Sequence, residues 1–148
     1  MRLLILACSQ RKRPASAPAL ELYDGPAYRV VRKALRNGVH DVEVWILSAE
    51  HGLIPADQVV APYDRRLTRD RAVELAIPVS RVLAGLWQRE WDDVYIEAGK
   101  LYQDLLSVAM TWSGSRPVRW STGAIGKRMQ ALKKWLHHTS NGNGRKKL

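Results

Sequence analysis

Three short runs in this chain are apolar almost from end to end, and between them lie longer stretches in which apolar residues recur every three or four positions. Residues 2–7, "RLLILA", residues 42–48, "VEVWILS", and residues 93–97, "DVYIE", have the length and β-rich character of buried strands. "GPAYRVVRKALRNG" sets Tyr28, Val31 and Leu35 on one helical face. It opens with Pro26, where a first-turn proline is tolerated, and stops at Asn37-Gly38. "LTRDRAVELAIPVSRVLAGLW" offers Thr68 as an N-cap and carries Ala72, Leu75, Val79, Val82, Leu83 and Leu86 in one stripe, with Pro78 predicting a kink or a division into two helices. "GKLYQDLLSVAM" continues the helical period, and "RPVRWS" reads as a short fourth strand. "AIGKRMQALKKWLHH" is a last helix with Ile125, Met129, Leu132 and Leu136 inward and Lys127, Arg128, Lys133 and Lys134 outward. Trp45 and Trp135 fall in apolar patterns and are expected in the core. Strands alternating with helices predict an α/β fold, a three-layer sandwich around a mostly parallel sheet. Residues 1–138 are expected to form one domain, followed by a flexible basic tail at 139–148, and there is no internal repeat.

Composition narrows the picture. At 148 residues and 46% hydrophobic content the chain can bury a core without metal or disulfide staples. The single cysteine excludes an intramolecular disulfide, no apolar stretch reaches membrane-spanning length, and "MRLLILAC" is too short for a signal peptide, so a cytoplasmic protein is expected. Lys and Arg outnumber Asp and Glu by 24 to 14, a formal charge of +10. No acidic residue follows Asp104, and a second basic cluster, Arg11, Lys12 and Arg13, follows the first strand. Such a distribution favours a polyanionic partner, nucleic acid above all.

The predicted sheet directs attention to its carboxyl edge, where ligands of open parallel sheets bind. The strands end at "CSQRK", "SAEHG", "EAGKLY" and "STGAIGK". Gly52, Gly99, Gly123 and Gly126 there let backbone N–H groups approach a ligand, and the last two precede a helix N-terminus. The second strand runs into "SAEHGLIPADQVVAPYDRRL", read as a loop dense in His, Tyr, Arg and carboxylate groups. "GAIGK" lacks P-loop spacing and no dinucleotide glycine fingerprint is present, which argues against NTPase and NAD chemistry. His40, His51 and the pair His137-His138 lack metalloprotease spacing, so neither a metal nor a cofactor is expected.

"LLILACSQRKR", "LYDGPAYR", "WILSAEHGLIPADQVVAPYDRRL", "EAGKLYQDLL" and "GAIGKRMQALKKWL" together resemble a family of small bacterial domains, distantly similar to the YaaA peroxide-stress proteins and to a domain of archaeosine synthase. The resemblance extends to phage-defence DNA glycosylases acting on glucosylated hydroxymethylcytosine. It implies a fold like the uracil-DNA glycosylase class and cleavage of an N-glycosidic bond in DNA carrying a modified base. The chain lacks an evident uracil-glycosylase water-activating motif.

N-glycosidic cleavage passes through an oxocarbenium-like sugar, so a site needs a carboxylate near C1′ and donors for the departing base. Asp64, in "PYD", is the first candidate carboxylate, and Tyr63 offers a ring for a flipped base. The plainer reading of Asp64 is a turn cap or a partner of Arg65 or Arg66. Ser48 and His51 are candidate donors, and Glu50 and Glu97 alternative carboxylates. At the end of the first strand, the opposite wall of the pocket, Cys8 reads as a small buried packing residue and not a nucleophile; Ser9 and Lys12 can meet sugar or phosphate. Tyr23, Gly99 and Tyr102 are candidates to line the pocket, the two tyrosines reading equally as half-buried with hydroxyls satisfied by backbone; Lys127 and Arg128 are candidates to reach a phosphate, and Trp112 and Trp120, flanking "SGSRPVR", to stack on exposed bases. Three classes fit: a DNA glycosylase, an N-glycosidase or transferase on free nucleosides or nucleotides, and a non-catalytic nucleic-acid-binding protein.

Overall fold

The computed structural model describes residues 1–114 and 116–138; the expected basic tail at 139–148 lies outside the described residues. In chain order the elements are β1 (Arg2–Ala7), β2 (Ala17–Pro18), α1 (Ala19–Leu22), α2 (Pro26–Arg36), β3 (Val42–Ser48), β4 (Gly52–Pro55), β5 (Val59–Val60), α3 (Arg69–Trp87), β6 (Val94–Glu97), α4 (Lys100–Ser113), β7 (Arg119–Trp120) and α5 (Ile125–His137). Five strands form the central sheet in the order β4-β3-β1-β6-β7, and only β4 runs antiparallel to its neighbour. β2 and β5 pair separately as a two-stranded antiparallel ribbon. The expected α/β architecture with a mostly parallel sheet is the one observed.

β1 is central, and its side chains alternate between two cores because successive residues of a strand face opposite sides. Leu3 and Ile5, with Leu47, Val94 and Ile96, meet α3 and α4 on one face. Leu4 and Leu6, with Val44, Ile46 and Tyr95, meet α1, α2 and α5 on the other. From β1 the chain moves outward to β3 through α1 and α2, then returns across β1 to β6 through α3. Crossovers of one hand travelling in opposite directions deposit their helices on opposite faces, which makes the layers.

Several local expectations are corrected. α3 is continuous from Arg69 to Trp87, so Pro78 does not divide it. Its N-cap is as expected: the Thr68 hydroxyl accepts the Arg71 N–H at 3.1 Å. The loop expected after β3 contains a strand, β4, which hairpins back through Gly52 at a φ of 75°. A backbone angle in that region suits glycine, and the turn is therefore tight. In α5, Leu132 and Leu136 are buried with Trp135, whereas Ile125, expected inward, is 52% exposed, so the first turn of the helix is not covered by the core. Trp45 is only partly buried, its ring nitrogen bonded to Glu43 at 2.7 Å. Trp112 is exposed, and Trp120 packs partly against the core.

One cation ties the amino end of the sheet together. Arg2, 3% exposed, donates to both Asp41 oxygens at 3.0 and 2.9 Å and to the carbonyls of Trp135 and Leu136, and its guanidinium stacks on the Trp135 ring. It thereby fastens β1 to the residue before β3 and adds a donor to the Leu136 and Trp135 carbonyls at the end of α5, where helical carbonyls lack intrahelical partners or share one. Replacing Arg2 by Met leaves Asp41 without this partner and removes the guanidinium donor from the Leu136 carbonyl, while the Trp135 carbonyl keeps the His138 N–H. The expected cost is about 3 kcal/mol, to be read as a lowered urea midpoint with unchanged slope; a midpoint within error of wild type would show the network to be dispensable.

Candidate functional site

The strand order reverses at β1, whose two neighbours β3 and β6 are reached by connections on opposite faces. Beyond the carboxyl ends of β1 and β6 this arrangement opens a crevice, the place where doubly wound sheets bind ligands. A cavity of about 230 Å³ occupies that end, lined by Cys8, Ser9, Gln10 and Lys12 after β1, by Asp64 to Leu67, and by Tyr102 of α4. A larger cavity of about 550 Å³ lies at the opposite, amino end, between Arg2, Asp93, Tyr95 and Trp135. Its Asp93 carboxylate is already held by Arg119 at 2.7 Å and by the Trp135 ring nitrogen at 3.0 Å. The smaller cavity carries the free chemistry.

Its wall is built on a chain of hydroxyls. Tyr63 OH lies 2.7 Å from Ser48 Oγ and 2.6 Å from Tyr23 OH, and Ser48 Oγ accepts the backbone N–H groups of Glu50 and His51 at 3.1 and 3.0 Å. Tyr28 completes the layer by donating to the Ala7 carbonyl at 2.7 Å. From below, Arg71 of α3 donates to the carbonyls of Ala49 and Glu50, both at 2.8 Å, which holds the β3–β4 turn against the helix. Gly25 is required here: a Cβ at that position would come within 2.9 Å of Ser9 Cβ and push the β1 loop out of place.

The residues expected at the site divide into three groups. Cys8, Ser9, Lys12, Asp64 and Tyr102 are brought together around the cavity. Cys8 is partly exposed instead of buried; its sulfur sits 3.1 Å from Tyr102 OH and accepts the Ala49 N–H at 3.4 Å. Asp64 is exposed and, among the described residues, has neither hydrogen bond nor ion pair, so it is no partner of Arg65 or Arg66. Arg65 instead pairs with Glu50 at 3.1 Å and Glu74 at 3.7 Å. The Lys12 ammonium lies 4.4 Å from the Tyr63 ring centroid and donates to the carbonyls of Ser9 and Gln10 at 3.1 and 3.4 Å.

Ser48, His51, Tyr23 and Tyr63 form the layer behind that wall. Ser48 and Tyr23 are fully buried, so neither meets a ligand directly and the expectation that they do is corrected: their hydroxyls are engaged in holding Tyr63. His51 is exposed and sets its ring edge-on to Tyr63 with centroids 5.5 Å apart. Tyr63 itself is half-buried, one ring contact being the Lys12 ammonium.

Gly99, Lys127 and Arg128 lie outside the cavity lining. Gly99 caps α4 with an ordinary backbone angle and open space where a Cβ would stand. Lys127 is exposed in the first turn of α5, as are Lys133 and Lys134 farther along. Arg128 does not point outward to solvent phosphate; it grips both oxygens of Glu97, which is only 4% exposed at the end of β6. That pair removes Glu97 from the list of available carboxylates. Gln10, Arg65, Arg66 and Leu67 are lining residues that sequence reasoning did not select. That Arg65, Arg66 and Leu67 follow Asp64 directly in the chain was the available signal.

The chain belongs to the DUF6884 family of unknown function, whose model matches residues 3–134. No curated protein and no solved structure matches the chain. The DUF6884 match spans every element from β1 into α5, and hence the whole cavity. Among its described residues no cluster of three or more His, Cys, Asp or Glu side chains could hold a metal ion, and no helix is long and apolar enough to cross a membrane.

Burial governs the ionisation of this layer. Desolvation pushes the hydroxyls of Tyr23, Tyr28, Tyr63 and Tyr102 upward from the ordinary tyrosine value, and the thiol of Cys8 adds to the shift at each of them. Tyr95, the fifth tyrosine, is raised by burial as well. Below the ordinary value near 10 both folded and unfolded tyrosines are neutral. Above it the unfolded chain ionises while the folded chain does not, so stability falls as pH rises from about 10. In a 295 nm titration Tyr28, Tyr63 and Tyr102, the most strongly shifted, should therefore form tyrosinate only as the protein unfolds, so most of the absorbance rise should coincide with loss of far-ultraviolet ellipticity. Most of the tyrosinate appearing while the ellipticity is intact would contradict this packing.

Proposed function

We propose that this protein is an N-glycosidase acting on DNA, a glycosylase that excises a modified base at the cavity beyond β1 and β6. The observation that carries the reading is Asp64: a carboxylate that has no partner among the described residues, at the mouth of a small cavity whose rim includes Lys12, Arg66 and the hydroxyls of Ser9 and Tyr102. An oxocarbenium-like sugar calls for such a group, held near C1′ and free of a competing salt bridge. In the proposed reaction the C1′–N bond breaks with its electron pair leaving on the base, water adds to C1′, and its proton passes to Asp64. An ammonium has three N–H donors, of which Lys12 directs two to carbonyl oxygens; the third is available to the departing base. The Tyr102 hydroxyl, beside Cys8, supplies a second polar contact on the facing wall.

The strand order with β1 central, and the formal charge of +10, support a place beside the uracil-DNA glycosylase class and a nucleic-acid partner. At about 230 Å³ the cavity lies below the roughly 300 Å³ at which pockets for drug-sized ligands begin. It suits one base taken out of the stack; the sugar of a glucosylated hydroxymethylcytosine would occupy the open mouth. The same small volume supports a second reading, hydrolysis of a free nucleoside or nucleotide.

The test is excision from oligonucleotides carrying cytosine, hydroxymethylcytosine or glucosylated hydroxymethylcytosine, read as alkali-sensitive strand breaks, beside release of base from the matching nucleosides. Wild type should cut a modified oligonucleotide, and Asp64→Asn should bind it normally while turning over at least about a hundredfold more slowly. Activity confined to nucleosides would select the second reading. Absence of excision from every substrate, or full activity in Asp64→Asn, would sink the mechanism.

A further inference from the structure

The three cations at the cavity mouth are not equivalent. Arg65 is committed to Glu50 and Glu74. Lys12 is bonded to the Ser9 and Gln10 carbonyls and lies against the Tyr63 ring. Arg66 lines the cavity, is exposed, and among the described residues has no hydrogen bond or ion pair of any kind. With Asp64 the sole carboxylate in the lining among the described residues, the cavity carries an excess of positive charge that a neutral base and sugar leave uncompensated. A guanidinium presents a planar fork of donors that matches a phosphate bidentately and is weakly hydrated, so an unpaired arginine at a ligand cavity is matched to an oxyanion.

We infer that Arg66 is the phosphate-binding residue of this cavity and that the ligand carries a phosphate next to the nucleoside whose sugar meets Asp64. The inference rests on the N-glycosidase reading for the placement of the sugar, not for the anion itself. Residues 64 and 66 are two positions apart, at most about 7 Å along the chain. A sugar at Asp64 therefore has its flanking phosphate within reach of the Arg66 side chain. Arg66 thus sets substrate class: a phosphorylated nucleoside unit, within a strand or at its end, is preferred to the bare nucleoside.

The experiment measures binding, so it does not depend on turnover. A fluorescein-labelled single-stranded oligonucleotide with a central tetrahydrofuran abasic site is titrated by anisotropy over a range of salt concentrations. Deoxycytidine and deoxycytidine 5′-monophosphate serve as unlabelled competitors. Arg66→Gln should weaken oligonucleotide binding about five- to tenfold at low salt and flatten the plot of log affinity against log salt by about 0.7, the value of one single-strand phosphate contact. Arg66→Lys should recover part of both. Asp64→Asn should bind at least as well as wild type, because it removes the opposing charge. If the monophosphate out-competes the nucleoside in wild type and loses that advantage in Arg66→Gln, the phosphate is a terminal one; a change confined to the oligonucleotide assigns one within the strand. An unchanged slope in Arg66→Gln overturns the inference, as does an equal loss in Arg69→Gln, an exposed cation outside the cavity lining. A flattened slope in Arg66→Gln with full turnover in Asp64→Asn would leave the phosphate subsite standing and remove the glycosidase mechanism.

Discussion

The structure depends on β1 having no free side. Its residues pair in parallel with β3 along one edge and with β6 along the other, while its two faces are sealed by separate helical layers. Leu3, Leu4, Ile5 and Leu6 are completely excluded from solvent. The constraint has a directional result. A parallel strand occupied on both edges and both faces can present polar groups only past its end, so the chemistry of the protein is pressed into Cys8, Ser9, Gln10 and Lys12 and whatever segments lie against them.

What lies against them is held by polar contacts more than by apolar packing. The segment carrying Asp64 has no regular structure of its own, yet Tyr63, immediately before it, is fixed by hydroxyls from two different elements and by the Lys12 ammonium. Ser48 serves both that bond and the N–H groups of the following turn, and Arg71 supports the same turn through its carbonyls. Buried hydroxyls that are fully paired specify one arrangement, because any displacement leaves a desolvated group unmatched. The flexible part of the site is thereby limited to its outer side chains.

Much of this was legible in the residues. β1 and β3 are long apolar runs with few alternative readings, and Thr68 caps α3 because a threonine hydroxyl three residues before a backbone N–H has that geometry built in. β4 was not legible: "GLIP" is four residues long, flanked by turn formers, and becomes a strand only because β3 offers a free edge. Of the two outcomes Pro78 allowed, the division does not occur, since packing along Leu75, Val79, Leu83 and Leu86 keeps α3 in one piece despite the lost hydrogen bond. At the site, residue types identified the right neighbourhood but not the roles. Whether Tyr23 faces a ligand or a second tyrosine, and whether Arg128 faces solvent or Glu97, depends on which strands become neighbours. Local sequence holds no record of that.

The sulfur of Cys8 gives the cavity a reporter. It is the chain's single thiol, partly exposed and part of the lining, so a maleimide or iodoacetamide reagent has one address on the whole protein. Anything that fills the cavity covers that address, and the rate of alkylation becomes a direct readout of occupancy. Ligands can then be sought by protection, one compound at a time, without any prior assay of a reaction.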